Sequence, residues 1–477
     1  MSPSLLLAIA VCGPVIGAFL LPLLGRLSAG ARNLFSLLLI LTSLLCSVAF
    51  IPGVLQGQVV TFHVPLPWGA SFILAADALA VLMAVISSGV GAVIVVYSFD
   101  YIRHYEHQNE YYSMVVLFLG SMMGLVFSRS LLFLYLFWEL TAISSWRLIG
   151  FYRSPRDLLR ADKAFLVTFF GATLLLVAIV AIYGTYGTFD LAALRGKRLA
   201  FVLTPLILGG ILSKSATLPF HTWLPDAGVA PSPVTALLHA AVLVKIGLYV
   251  FARLLLVTFV VDPFWTHLLL AVAASSALVA AGAALVETDL KRIIAYSTVS
   301  QIAFIFLGLA SGSAVGIAGG LLYLLAHGLA KGGLFLSAGV IEQATHTRDV
   351  TRLGGLMRTM PVTAVAFLAC ALSIMGIPPF LGFYSKYLVF AGALGSGEGL
   401  LSAAFLFGAL LTILYLFRLF SLVFLGEPKG IPAREGSALM IAAVVSLAIL
   451  SLAGGLLVQY PARLVAAIGL EIQGVGP

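Results

Sequence analysis

Apolar stretches long enough to cross a bilayer alternate with short polar loops along the chain of 477 residues. A helix needs about 20 apolar residues to span the hydrocarbon core. Backbone groups in lipid must be satisfied within the segment, and these stretches are much longer than barrel strands, so the pattern predicts α-helices. We predict fourteen helices, at about 4–25, 33–52, 77–99, 111–128, 130–150, 157–186, 200–222, 232–256, 265–286, 293–310, 314–342, 361–395, 400–425 and 437–458.

The composition agrees with a membrane location. The chain is 61% hydrophobic and 9% charged, with a mean hydropathy of +1.13, whereas a soluble domain has about 25% charged residues. The sequence therefore predicts an all-α integral membrane protein, with one polytopic membrane domain over residues 1–477 and no separate soluble domain. The first apolar stretch lacks a preceding basic segment and is too long for the core of a signal peptide, so we expect it to be the first membrane helix.

The net charge of +8 does not indicate a nucleic-acid partner, because lysine and arginine are divided among many loops and helices instead of forming a basic tract. Basic loops instead predict orientation, since cytoplasmic loops carry an excess of Lys and Arg. With fourteen helices both termini share one side, where the basic residues are Arg129, Arg195, Lys197, Arg198 and Arg463, with Arg253 near a helix end. Loops on the other side contain Arg26, Arg32, Arg103, Arg153, Arg156, Arg160, Lys291, Arg292, Arg348, Arg352, Arg358, Lys429 and Arg434. We therefore expect a multi-pass plasma-membrane protein with both termini on the non-cytoplasmic side.

Two predicted helices contain proline inside the apolar stretch. In the seventh, Pro219 has no N–H to donate to the carbonyl of Ser215. In the twelfth, Pro378 and Pro379 are adjacent. Transporters place paired broken helices in corresponding positions of two repeats, at the ion site. We expect the ion pathway to pass near these two breaks.

An internal repeat is indicated by a short match. The segment around Lys163 (ADKAFLVTFFGA) resembles the segment around Lys331 (LAKGGLFLSAGV), and each precedes a proline-broken helix. Five helices separate the copies, and an odd number inverts the second repeat in the membrane. We predict helices 1–3 in residues 1–110, a first repeat of helices 4–8 in 111–256, a second repeat of helices 9–13 in 265–425, and a last helix and tail in 437–477.

Ionisable side chains inside the apolar stretches are the candidate functional residues. A charged group at that depth is costly, and by default it faces the bundle interior and marks an ion pathway. The candidates for proton translocation are Glu139, Lys163, Lys214, His239, Lys245, His327, Lys331 and Lys386.

Their positions suggest pairs. Glu139 is a candidate partner for a lysine of an adjacent helix. The pKa of that lysine would depend on the separation of the two charges. The alternative is a structural carboxylate satisfied by Trp or Ser neighbours. His327 and Lys331 are four residues apart, hence on one helix face, where an imidazole and an ammonium can exchange protons. His239 and Lys245 are six apart, so we expect water or a neighbouring group to link them.

We predict no metal site and no cofactor. The cysteines stand alone without metal-ligand spacing and are expected to be buried small side chains. Haem ligands in bundles usually come as facing pairs, and most of the remaining histidines are placed in loops. Glycine-rich patches lack the strand–helix context of a phosphate site and indicate close helix packing. The residues concerned are Cys12, Cys46 and Cys370, and His63, His104, His107 and His221.

Five motifs together resemble the antiporter-like membrane subunits of respiratory complex I, membrane-bound hydrogenases and Mrp-type sodium/proton antiporters. The motifs are FWELTAISSWRLIGF, LSKSATLPFHTWLPDAGVAPSPVTALLHAAVLVKIGLYVFAR, ETDLKRIIAYSTVSQIAFIFLGL, LLAHGLAKGGLFLSAGVI and GIPPFLGFYSKY, within roughly residues 110–425. The resemblance implies 14 helices, inverted repeats and a central hydrophilic axis.

The resemblance also implies roles for single residues. Glu139 and Lys214 would be the coupled pair, with Lys163 close to them. Lys245 would be the connecting lysine, and His327 and Lys331 would lead to Lys386 in the terminal lysine position. Two departures leave the branch of the family open: we expect no long lateral helix after the fourteenth helix, and the segment APSPVTALLHAAVLVK keeps both His239 and a lysine.

We therefore expect a proton-translocating subunit of a larger redox-driven complex, with other membrane subunits, a peripheral redox arm and lipids as partners. The main alternative is a subunit of an Mrp-type sodium/proton antiporter without redox chemistry, with sodium as a second ion. A more remote alternative is a subunit coupled to bicarbonate uptake. A quinone-reducing enzyme in its own right is disfavoured, since no redox centre is visible in the sequence.

Overall fold

The computed structural model describes residues 2–67 and 71–472, and most of them lie in helices. Within these residues, twelve helices are long and apolar enough to cross a membrane. The expected all-α membrane fold is confirmed. The α-helices are α1 (Pro3–Leu27), α2 (Ala29–Ala49), α3 (Ile51–Val54), α4 (Ala78–Tyr101), α5 (Gln108–Phe127), α6 (Leu131–Ile149), α7 (Pro155–Tyr186), α8 (Leu191–Leu194), α9 (Thr204–Lys214), α10 (Trp223–Asp226), α11 (Ser232–Ala236), α12 (Leu243–Val250), α13 (Pro263–Val286), α14 (Leu290–Ala310), α15 (Ala314–Thr345), α16 (Pro361–Met375), α17 (Leu381–Gly395), α18 (Gly399–Phe424), α19 (Ala438–Leu456) and α20 (Gln459–Ile472).

The seventh and twelfth predicted helices are each interrupted. The seventh, predicted at 200–222, is helical only in α9; residues 215–222 form turns, and the one-turn helix α10 follows directly after them. The twelfth consists of α16 and α17. These two regions are absent from the twelve candidate spans because neither piece is long enough by itself. Fourteen as the number of membrane crossings, and the inversion of the repeats, stay predictions.

The eighth predicted helix is not uniformly α-helical. Between α11 and α12 the chain makes a π-helical turn at Leu237–Ala241, and α12 is followed by a π-helical segment at Phe251–Thr258. The four segments form one continuous span, Ser232–Thr258. π-turns inside helices are rare and occur frequently at functional sites.

Short strands occur where the sequence analysis placed loops. β1 (Val60–Pro65) pairs antiparallel with β2 (Ser71–Ala76), and β3 (Lys197–Arg198) pairs parallel with β4 (Phe259–Val260). The placement of His63 in a loop was therefore wrong, because it lies in β1 opposite Ile73. The alternating pattern of β1, in which Thr61 and His63 separate apolar residues, is the signal of a short strand.

Charged side chains at the helix ends define two faces of the bundle. The terminal face has the start of α4 at Asp77, the end of the Ser232–Thr258 span, and α20. The opposite face is cross-linked by ion pairs that include Lys163–Asp226 at 2.7 Å, Arg292–Asp226 at 2.7 Å, Arg292–Glu287 at 2.8 Å, Lys291–Glu342 at 2.6 Å and Arg348–Asp289 at 3.3 Å. Of these, Arg292–Asp226 joins the first half of the chain to the second.

The last helix, α20, was not expected from the sequence, which placed only a tail after the fourteenth helix. Its polar residues include Gln459, Arg463 and Glu471, while Leu464, Val465 and Ile468 are buried. An amphipathic helix of this length lies on a surface instead of crossing a membrane. The end of the predicted last segment, residues 473–477, lies outside the described residues.

The central helices α14 and α15 pack through glycine. A Cβ atom added to Gly308 would lie 2.8 Å from the Cα atom of Gly320, so any larger residue would separate the helices. Close backbone approach at small residues is the usual way in which membrane helices associate. Both helices are almost completely buried, and α15 carries two of the candidate residues, His327 and Lys331.

Candidate functional site

Lys214 is the last residue of α9, where the helix stops before Pro219. A proline lacks an N–H, and the residue before it is disfavoured in the α region, so the helix cannot continue to this point. Ala216 takes a left-handed conformation with φ of 52°, which turns the chain away from the helix axis. The break therefore places Lys214 at a helix end inside the bundle, where its side chain is fully buried.

The ammonium group of Lys214 contacts the helix that carries Glu139. Its Nζ donates to the backbone oxygen of Trp138 at 3.3 Å and lies 5.2 Å from the centre of the Trp138 ring. The Oε1 atom of Glu139 is buried and has no hydrogen-bond partner among the described residues. The predicted pair is thus adjacent without a direct ion pair, and the alternative of a carboxylate satisfied by neighbouring Trp or Ser side chains gains no support.

Lys163 is not brought into contact with this pair. Its Nζ donates to Asp226 at 2.7 Å on the opposite face, and Arg292 donates to the other oxygen of the same carboxylate at 2.7 Å. Burial by itself would raise the pKa of Asp226, but the hydrogen bonds from Lys163 and Arg292 outweigh it and lower this pKa below its ordinary value. Lys163 therefore ties the chain beyond the first break to α7, while Arg292 ties the same carboxylate to the second half of the bundle.

His239 lies in the π-turn that precedes α12. The wider turn rotates the following residues relative to a regular helix, so the sequence spacing between His239 and Lys245 does not give their true angular offset. His239 is fully buried, and its ring lies 4.3 Å from the ring of Phe335 on α15. Neither of its ring nitrogens has a hydrogen-bond partner among the described residues.

Lys245 crosses from α12 to α15 and meets it next to His327. A Cβ atom added to Gly328 would lie 2.9 Å from Nζ of Lys245, so the missing side chain of Gly328 provides the room for the ammonium group. Lys245 is fully buried and its Nζ has no hydrogen-bond partner among the described residues. This contact joins the first half of the chain to the second.

His327 and Lys331 continue the row along α15, as their spacing predicts. Both are fully buried. Lys331 donates to the backbone oxygen of Ile294 at 3.2 Å and also to the hydroxyl of Ser297. The ring nitrogens of His327 have no partner among the described residues. An imidazole whose two nitrogens are not engaged in protein hydrogen bonds can accept a proton at one nitrogen and release one from the other.

Lys386 occupies the second break. Pro378 has no N–H to satisfy the carbonyl of Ile374, and Nζ of Lys386 donates to that oxygen at 2.7 Å. The ammonium group also lies 4.7 Å from the ring of Phe304 and 5.6 Å from the ring of Tyr323. Cations are attracted to aromatic faces, so Lys386 is held by a backbone dipole and two rings.

Tyr323 and Gln301 are polar residues of this site that the sequence analysis missed. The Tyr323 hydroxyl donates to Oε1 of Gln301 at 2.5 Å, and Nε2 of Gln301 donates to Thr412 at 3.0 Å. The Tyr323 ring lies 6.3 Å from His327 and therefore lies between His327 and Lys386. A signal was present, because residues 323, 327 and 331 are four apart and share one face of α15.

The buried groups lie in the interior of an apolar bundle, and we call this set the polar axis. It includes Glu139 and Lys214 beside the first break, Lys245 and His327 at the contact between the two halves, and Lys386 at the second break. Amines and imidazoles change protonation by losing or gaining a proton without rearrangement of the backbone, so such a row can carry protons directly or through water. Among residues 2–67 and 71–472, no cluster of three or more His, Cys, Asp or Glu side chains is placed to hold a metal ion.

Comparison with known proteins agrees with this arrangement. Residues 128–412 match the family described as NADH:quinone oxidoreductase/Mrp antiporter, TM. Residues 67–112 match the family described as NADH-Ubiquinone oxidoreductase (complex I), chain 5 N-terminus. The Na(+)/H(+) antiporter subunit A1 of Staphylococcus aureus is 32% identical over an alignment that covers 94% of this chain. The chain spans 61% of the length of that relative.

Two solved structures have the same fold. A chain of the Mrp complex from Dietzia sp. DQ12-45-1b superposes with a TM-score of 0.91 at 27% identity, covering 99% of this chain and 100% of that one. A chain of the membrane-bound sulfane sulfur reductase, an archaeal respiratory membrane complex, superposes with a TM-score of 0.90 at 26% identity, covering 98% and 97%. The resemblance seen in the motifs is confirmed, and the chain belongs to the antiporter-like membrane subunit family shared by respiratory complex I, membrane-bound hydrogenases and Mrp-type antiporters.

Proposed function

We propose that this chain translocates protons along the buried axis as one subunit of a multi-subunit membrane complex. The observation that carries the proposal is the contact of Lys245 with α15 at Gly328, beside His327. It brings an ionisable group of the first half of the chain against the helix of the second half that carries His327 and Lys331. Movement of the Glu139 carboxylate relative to Lys214 would change the electrostatic stabilisation of the Lys214 ammonium, and protons would then move along the axis.

We propose sodium/proton antiport as the coupling, in place of the redox drive expected from the sequence. Support comes from the relative of Staphylococcus aureus, whose name is Na(+)/H(+) antiporter subunit A1, and from the Mrp complex of Dietzia. The redox drive is the second candidate, supported by the similarity to a chain of an archaeal respiratory complex. Other membrane subunits would supply the rest of the path in either case, and a peripheral redox arm would be present only in the second.

The orientation and the repeats belong to the same proposal. The face opposite the terminal face would be cytoplasmic, because most loop arginines and lysines lie there. The membrane would be the plasma membrane. The inverted repeats would be residues 111–256 and 265–425, each with one broken helix, α9–α10 and α16–α17.

The proposal is tested in vesicles that contain the complete native complex. Replacement of Lys245 by Met keeps the apolar stem and removes the ammonium group. We expect proton movement to fall to the level of empty vesicles, because the connection between the halves is lost. Lys197→Met is the matched control, since Lys197 is exposed on the terminal face, and it should transport like the wild type. Wild-type transport by Lys245→Met would overturn the proposal.

The coupling is tested in the same vesicles. An imposed proton gradient should drive sodium movement without an electron donor if the complex is an antiporter. Proton movement that requires an electron donor and ignores sodium would instead favour the redox drive. Lys245→Met should abolish whichever activity the wild type shows.

A further inference from the structure

The terminal face contains a cavity lined by charged groups that the lysine axis does not use. Its volume is about 370 Å³, and its walls come from the β1–β2 hairpin, the start of α4, the end of the Ser232–Thr258 span and α20. The charged residues that line it are Asp77, Arg129, Arg195, Arg253 and Glu471. Gln58, Thr61 and Ser128 add polar groups to the walls, and the cavity is open on one side.

Arg253 is the centre of this cluster. Its side chain is 8% exposed, and its two terminal nitrogens each donate to one oxygen of Asp77 at 2.7 Å. Its Nε donates to the Tyr249 hydroxyl at 3.0 Å. Planar double contacts of this kind are strong and fixed in geometry. Arg253 and Asp77 therefore form a rigid ion pair at the base of the cavity.

Glu471 is the carboxylate that this arrangement leaves under-compensated. Asp77 already receives both strong contacts of Arg253 and a third from the backbone N–H of Ala80 at 2.9 Å. Glu471 receives only one contact from Arg253, at 3.4 Å, and its side chain is 18% exposed. One buried guanidinium thus serves two carboxylates, so one of them can take up a proton at little electrostatic cost.

The charges around Glu471 act in both directions. Burial and the negative charge of Asp77 raise the pKa of Glu471, while Arg253, Arg195 and a hydrogen bond from the backbone of Leu79 lower it, and the result is about 7. Arg195 donates to the backbone oxygen of Glu471. The other wall of the cavity carries Arg129, whose charge is neutralised by Asp190 at 2.8 Å.

The polar side chains of the Ser232–Thr258 span connect this cluster to the axis. Lys245, Tyr249 and Arg253 are spaced by four residues, so they follow one face of the span from the axis to the terminal face. Tyr249 donates to the backbone oxygen of Val126 at 2.6 Å while accepting from Arg253. The buried amine of Lys245 has no hydrogen-bond partner among the described residues. A polar strip thus leads from Lys245 to the cavity.

We propose that Glu471 is the proton-exchange residue at the terminal-face mouth of the axis. The inference rests on the proposed function. A proton that leaves the ammonium of Lys245 passes along the polar strip through water, protonates the Glu471 carboxylate and is released from it into the cavity. Arg253 keeps its charge throughout, because a guanidinium does not deprotonate in proteins, and together with Asp77 it positions Glu471.

The experiment uses the complete complex in vesicles and compares Glu471→Gln with wild type over a range of pH. We expect the variant to lose at least about tenfold in rate at pH 7, because an exchange group is most effective near its own pKa. The wild-type rate should change with pH around neutrality, and the variant should lose this dependence. Glu471→Asp should restore part of the rate and the pH dependence. Glu398→Gln, a carboxylate on the same face that contacts His267 at 3.3 Å, is the matched control and should behave like wild type.

A second measurement does not depend on transport. Infrared difference spectra between acidic and alkaline pH should contain the carbonyl band of a protonated carboxyl group that titrates near neutrality, and Glu471→Gln should lack it. Persistence of that band, or a wild-type rate and pH profile in Glu471→Gln, would overturn the proposal. Lys214→Ala separates the two levels of inference: wild-type transport in that variant contradicts the proposed function itself, whereas its loss together with normal transport in Glu471→Gln contradicts only the role of Glu471.

Discussion

In the first half of the chain the buried lysine precedes the helix break, and in the second half it follows it. Lys214 ends α9 and reaches across to the backbone of α6, next to a carboxylate. Lys386 lies in α17 and binds Ile374 of α16, a carbonyl that the break in its own helix leaves free. Each lysine therefore donates to a backbone carbonyl oxygen, Lys214 to one on a neighbouring helix and Lys386 to one on the first piece of its own broken helix.

This difference separates a responsive site from a fixed one. The environment of Lys214 changes whenever α6 moves, because Glu139 and Trp138 both lie on that helix. The ammonium of Lys386 contacts one carbonyl and two aromatic rings, and among these contacts there is no carboxylate. A backbone dipole and ring faces carry no charge that changes, whereas the stabilisation of an ammonium by a nearby carboxylate depends on the distance between the two charges. The coupling signal should therefore enter or leave at Lys214.

The largest effect is expected from Lys214→Ala. A methyl group cannot carry a proton, and Glu139 is left as a buried carboxylate without its cationic neighbour. Proton movement in vesicles should fall by about 100-fold or more, the range of a lost proton-transfer group. Lys214→Arg should fail as well, because its guanidinium keeps its proton. Wild-type transport by either variant would show that the two lysines do not differ in the way described.

Glu139→Gln should give the next largest effect. The amide keeps the size of the side chain and removes the charge that acts on Lys214. We expect normal amounts of the assembled complex and transport reduced by about tenfold, which corresponds to 1.4 kcal/mol. The amount of complex is measured by quantitative blotting and transport in the same vesicles. Disappearance of the subunit from the membrane would instead make Glu139 a structural residue.

Tyr323→Phe probes the fixed site and should have a smaller effect. The ring beside Lys386 remains, and the hydroxyl that donates to Gln301 is lost. Transport should fall by about threefold, in line with one neutral hydrogen bond. Tyr387→Phe is the matched control, since Tyr387 is 62% exposed. A loss as large as that of Glu139→Gln would mean that the second break is as responsive as the first.

Asp226→Asn should act mainly on stability, because Asp226 anchors the chain beyond the first break to Lys163 and Arg292. We expect a loss of about 1–2 kcal/mol, measured as a lower melting temperature of the purified complex. The folded-state pKa of Asp226 is lowered from 3.8, so its stabilising contribution is complete above that pH and is lost as the pH falls below it. The difference between wild type and variant should therefore vanish in acid. A constant difference at all pH values would contradict the ion-pair anchor.

The membrane fold and its breaks follow largely from local sequence. Uninterrupted apolar stretches specify helices because lipid offers no other partner for backbone groups, and Pro219 and Pro378 prevent hydrogen bonds whatever the tertiary structure. The candidate lysines and histidines were identified for the same reason, since charge inside such stretches is costly. The amphipathic helix α20 and the β1–β2 hairpin were missed, because short elements at the surface carry weak periodic signals.

Tertiary structure decided which of these residues meet. The sequence spacing placed His327 and Lys331 on one face, but only packing brings Lys245 against Gly328, 83 positions further along the chain. It also directs Lys163 to Asp226 and away from Glu139, and it places Glu471 beside Arg253 at 3.4 Å. Contacts between distant segments depend on the relative positions of whole helices, which glycine contacts and ion pairs fix together, and no local pattern contains that information.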